Sequence, residues 1–87
     1  MVVSETRFRL LAWLGWELRA ASVGSWMVIP AKGEPVLYVR CASGARDAVL
    51  AVRRGRSWRV VWRARELETD AARLKSVARR IAREATA

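Results

Sequence analysis

Val36-Leu37-Tyr38-Val39-Arg40-Cys41-Ala42, Asp47-Ala48-Val49-Leu50-Ala51-Val52-Arg53 and Ser57-Trp58-Arg59-Val60-Val61-Trp62-Arg63-Ala64-Arg65 follow one another, divided by turns at Ser43-Gly44 and Arg54-Gly55-Arg56. Each run is rich in β-branched and aromatic residues and is bounded by a glycine turn, the pattern of a strand. Connections this short join only antiparallel neighbours, so the three runs predict a meander. Period-two alternation then assigns the faces. Leu37/Val39/Cys41, Ala48/Leu50/Val52 and Trp58/Val60/Trp62 are expected inward. Tyr38, Arg40, Val49, Ala51, Arg53, Arg59, Val61, Arg63 and Arg65 are expected on the open face.

The flanks are helical. Ser4 is the expected N-cap of a first helix, Glu5 suits its positive N-terminal end, and Gly15 offers a left-handed C′ residue. Phe8, Leu10, Leu11 and Leu14 share one arc at helical spacing and are the expected core face, with Trp13 outside it beside Arg9. After Gly15 the alternation of Trp16, Leu18 and Ala20 against Glu17 and Arg19 favours a strand. The competing reading runs the helix on to Ala21. Gly24, Pro30 and Gly33 mark residues 22–34 as a connection, with Trp26–Ile29 as a short edge strand. The last element, from Asp70 to Ala85 with Thr69 as N-cap, carries an apolar stripe of Leu74, Val77, Ala78, Ile81 and Ala85. Two amphipathic helices and one antiparallel sheet give an α+β domain, residues 1–87, with three to five strands and both helices on one face.

Several of these pieces resemble a group of small uncharacterised actinobacterial α+β proteins. They are Gly15-Trp16 after a leucine-rich helix, Arg19, Pro35-Val36-Leu37-Tyr38-Val39, the Trp58/Trp62 pair, and Ala71-Ala72-Arg73 with Ala78-Arg79-Arg80-Ile81-Ala82. The resemblance covers most of the chain, departs from the group in a longer 22–34 segment, and implies the architecture without an activity.

The 87 residues suffice for one domain, and five tryptophans are ample core material for it. Net charge is +9, divided unevenly. Residues 1–44 hold five basic against three acidic side chains, and residues 45–87 twelve against five. A field of this sign favours polyanions. Fifteen of the seventeen cations are arginine, which GC-rich coding produces by itself. Cys41 is the single cysteine, so no intramolecular disulfide is expected and a cytoplasmic setting fits. Glu17 and Arg19 interrupt the apolar run Leu10–Trp16, against a signal peptide. No stretch is long enough for a membrane span.

Histidine is absent, which excludes Ser-His-Asp and Cys-His nucleophile pairs. One cysteine without histidine cannot build a zinc centre, and the glycines never cluster as a phosphate loop. No catalytic residue, metal or cofactor is expected. Glu66, Glu68 and Asp70 are expected to complement the last helix and to neutralise Arg63 and Arg65 rather than hold a cation, and Cys41 to be a small core residue.

The open face carries what remains: Tyr38, Arg40, Val49, Arg53, Arg59, Val61 and Arg63. Two function classes fit it. One is a protein-interaction module, a homodimer or small adaptor, burying Val49, Val61 and Tyr38 with Trp13 or Trp26. The other is a binder of single-stranded nucleic acid or another polyanion, with Tyr38 as a stacking group among the arginines. The apolar residues favour the first.

Overall fold

The computed structural model describes residues 3–70 and 72–87, apart from the side chains of Val3 and Ser4, so the expected Ser4 cap lies outside the described residues. Helix α1 (Val3–Ala20) leads into strands β1 (Ser25–Val28), β2 (Val36–Arg40), β3 (Arg46–Arg54), β4 (Ser57–Trp62) and β5 (Arg65–Thr69), and helix α2 (Leu74–Ala85) follows. The strands form one antiparallel sheet in chain order. The helices pack on each other and share one core with a single face of the sheet. This is the expected α+β architecture.

The reading of Gly15 is corrected. The helix runs through it to Ala20, and no strand forms at residues 16–21. A glycine inside a helix costs about 1 kcal/mol against alanine, yet here it brings α1 down onto the sheet. A Cβ at this position would stand 3.3 Å from Ser25 Oγ and 3.4 Å from Leu37 Cδ1. Continuing the helix changes its buried stripe to Leu11, Leu14 and Leu18, all fully buried. Phe8 is left exposed, against expectation, and Trp16 points outward as well. Arg7 fixes the helix from its other end. Its Nε donates to the Ala51 carbonyl at 2.7 Å, Nη1 meets Glu34 at 2.9 Å, and the guanidinium lies 5.7 Å over the Trp58 ring.

The phase of β3 is also corrected. Residues 48–52 are apolar at both parities, so alternation alone leaves the strand's face open. Pairing decides it: Val49 lies opposite Leu37 on one side and Trp62 on the other, both core residues. Val49 and Ala51 are therefore fully buried, and Ala48, Leu50 and Val52 face outward.

The run expected as one strand to Arg65 breaks at Arg63-Ala64, and both residues take positive φ (51° and 62°). The turn returns the chain as β5, whose Leu67 packs on the core. Thr69 ends that strand buried and is no cap. Asp70 accepts the Arg73 backbone N–H at 2.9 Å instead, so α2 starts at Leu74. At its other end the Ala42 N–H donates to the Ala85 carbonyl at 2.8 Å, satisfying an orphan acceptor of the last turn.

Trp62 is completely buried beneath the helices with Val60, Ile81 and Leu74 in the same cluster. Trp62→Ala is expected to cost roughly 3–5 kcal/mol, a large share of a small domain's stability, read as a lowered denaturant midpoint. Ala64→Gly relieves a left-handed alanine and is expected to add about 0.5–1 kcal/mol, raising the thermal midpoint by a few degrees.

Candidate functional site

Of the seven residues expected on the open face, Tyr38, Arg40, Arg59 and Val61 lie there. Val49 does not, being buried between Leu37 and Trp62. Arg53 follows Ala51 in parity and leans into its own hairpin, where Nε donates to the Gly55 carbonyl at 3.0 Å. Arg63 folds back to the helix side. Its Nε meets Asp47 at 2.9 Å, Nη2 lies 3.6 Å from Cys41 Sγ, and its guanidinium sits 4.8 Å over the Trp62 ring. A one-residue error in β3 and an unforeseen turn at Arg63 together account for the three departures.

Cys41, Asp47 and Arg63 form the most polar cluster on the helix side. The Arg63 hydrogen bond, then that of the Cys41 thiol, holds the Asp47 carboxyl below its ordinary range. Burial, then the Asp47 contact, pushes the Cys41 thiol up, away from thiolate chemistry. The cluster thus fastens β3 to the β4–β5 turn. Glu66 pairs with Arg54 and Glu68 with Arg73, whereas Arg65 pairs with Glu84; the expected neutralisation of Arg63 and Arg65 by the β5 carboxylates is replaced by these pairs. Among the described residues no three His, Cys, Asp or Glu side chains come together as metal ligands, and no helix is long and apolar enough to cross a membrane.

Two surfaces remain. The first is a groove of about 720 Å³ between α1 and β1. Phe8, Ala12 and Trp16 form its helical wall at i, i+4 and i+8, Met27 and Ile29 its strand wall, with Gly15 and Leu37 between them. Trp16 is 67% exposed and Ile29 62%. The second surface lies on the open face at β1, β2 and β3. Trp26 and Tyr38 are cross-strand partners whose rings stack with centroids 5.8 Å apart. Arg40 lies 5.8 Å over Trp26 and Arg46 5.2 Å over Tyr38. Val28, Val36, Leu50, Val52 and Val61 continue this face with apolar side chains.

A helix ending at Gly15 hides Phe8 and Trp16 as one surface, which the helix continued to Ala20 brings together. The i, i+4, i+8 spacing of Phe8, Ala12 and Trp16 was the available signal. Arg46 was missed because β3 was begun at Asp47. Compared with known protein families, curated proteins and solved structures, the chain matches none.

Asp47 supplies a pH test. A carboxyl depressed in the folded state contributes stability above its ordinary range and loses it as pH falls through the depressed value. Asp47→Asn is expected to be less stable than wild type at neutral pH. The difference should shrink as pH drops below about 4, read from denaturant midpoints across the acid range.

Proposed function

We propose that this chain is a non-catalytic, cytoplasmic protein-interaction module that needs no cofactor. It pairs with a second copy of itself through the β1 edge and the groove beside it. The observation carrying this reading is the distribution of exposed large apolar side chains. Among the described residues they are Phe8, Trp13, Trp16, Trp26, Val28 and Ile29, all on α1, on β1 or immediately after it. Scattered apolar residues on a surface need no explanation, but a cluster along one edge does.

The two sheet edges differ in a way that supports the same assignment. Proteins protect edge strands with charge. Strand β5 reads Arg65-Glu66-Leu67-Glu68-Thr69 and follows that rule, whereas Ser25-Trp26-Met27-Val28 carries no charge. Antiparallel pairing of β1 with its twofold copy extends the sheet across the seam and lays the Phe8–Ala12–Trp16 stripe beside its own equivalent. That is the self-complementary geometry of an isologous dimer. Repulsion between two chains of charge +9 must also be met, and the groove lining contains a single cation, Arg19.

Sedimentation velocity from low to high micromolar concentration tests this. Wild-type protein is expected to move from monomer to dimer, and Trp16→Glu and Ile29→Glu to remain monomeric with unchanged circular dichroism. Val61→Glu, on the open face, should dimerise like wild type. A wild-type chain that stays monomeric throughout the range removes the second copy as partner.

A further inference from the structure

We propose that the open face binds single-stranded nucleic acid at the Arg40–Arg46 pair and the Trp26–Tyr38 stack. The proposal rests on the open face rather than on the groove, and its four side chains all belong to one chain.

Arg40 and Arg46 are direct cross-strand partners at the β2–β3 end of the sheet, and both are exposed. Like charges in that position repel and lower stability. The chain nevertheless sets them there without a carboxylate: neither belongs to an ion pair among the described residues. Elsewhere on the same sheet the acids are close at hand. Glu66 takes Arg54, and Glu68 takes Arg73. The open side of β1 and β2 carries Trp26, Val28, Val36, Tyr38 and Arg40, with no acid among them. The Arg40–Arg46 pair therefore stands without a carboxylate, and an anion there lowers the energy of both guanidiniums at once.

The aromatic pair selects the kind of anion. Each guanidinium lies over a ring, which orders the arginine and leaves its N–H edge free to donate. Across Tyr38 from Trp26 stands the small side chain of Ala48. A phosphodiester bridging Arg40 and Arg46 brings its base beside the Trp26–Tyr38 stack and the apolar surface of Val36 and Leu50. A duplex presents no free base along its length, because its bases are already paired and stacked. Aromatic and arginine side chains on an exposed sheet are one route to sequence-tolerant recognition of single strands.

Fluorescence anisotropy with a labelled oligothymidylate, at about 50 and 200 mM salt, tests the site, with a log–log slope of about −0.7 expected per phosphate engaged. Arg40→Glu/Arg46→Glu should weaken binding by about tenfold or more, and Arg79→Glu/Arg83→Glu, an equal charge change on α2, by only a small factor. Tyr38→Ala should lose about tenfold on the single strand, with little change on a duplex of the same length. Circular dichroism confirms that each variant is folded, and Trp16→Glu repeats the titration on monomeric protein, so that failure of the dimer leaves this result readable. Absence of binding at the lower salt overturns the proposal. So do equal losses from the two arginine double variants, equal affinity for duplex, or equal affinity for polyglutamate, each of which signifies attraction to net charge.

Discussion

A five-stranded sheet has two faces, and this chain has helices for only one of them. Helix α1, at about 1.5 Å per residue, spans roughly 27 Å and lies over β1, β2 and β3, while α2 reaches β5 and packs on α1. Everything large that the core can take is gathered beneath them: Trp62, three leucines of α1, and Leu74 and Ile81 of α2. The opposite face carries Leu50, Val52 and Val61, half-buried, with no helix of the described residues over them. Long side chains stand at its margins, where apolar stems can cover neighbouring surface while charged heads remain hydrated. The distribution of charge and aromatic rings over that face distinguishes one region from another.

The close approach of α1 to the sheet depends on Gly15, which places the helix backbone next to Ser25 and Leu37. A helix seated so near β1 cannot turn all its apolar residues inward. Leu11, Leu14 and Leu18 fill the contact, and Phe8, Ala12 and Trp16 are left along the flank as one wall of the groove. Arg7 keeps the opposite end in place through the Ala51 carbonyl and Glu34. The core and the exposed apolar edge are therefore two results of the same packing, since a helix standing further off would not leave this groove.

Much of this was legible in the chain. The meander, its inward Leu37, Val39, Trp58, Val60 and Trp62, and the Leu74–Ile81 stripe of α2 follow from apolar periodicity and glycine turns. The phase of β3 was not legible, because Ala48 to Val52 are apolar at both parities and only pairing with β2 and β4 separates them. The β4–β5 turn lacks glycine and asparagine, so Arg63-Ala64 gave no signal for two left-handed residues. Gly15 misled for a related reason: its effect on the helix is local and unfavourable, whereas its benefit arises from a tertiary contact invisible in the sequence. Of the open-face set, Tyr38, Arg40, Arg59 and Val61 kept their side. Arg46 and Trp26 joined them only once the register was known.

Trp26 links the two proposed surfaces. The residue borders the groove at the β1 edge, and its ring stacks on Tyr38 on the open face. In the proposed dimer a second copy pairs along β1, the strand whose Trp26 ring lies against Tyr38 and Arg40. Edge pairing and occupation of the open face then share one strand. Ionic strength acts on them in opposite directions. Salt screens the repulsion between two +9 chains and so favours the apolar edge contact, while it competes with phosphate for the arginines and weakens binding on the face. Assembly measured with and without an oligonucleotide should consequently change its salt dependence. The bound polyanion supplies the neutralisation that salt otherwise provides, and the paired chains become most stable at low ionic strength, where the free chains repel most.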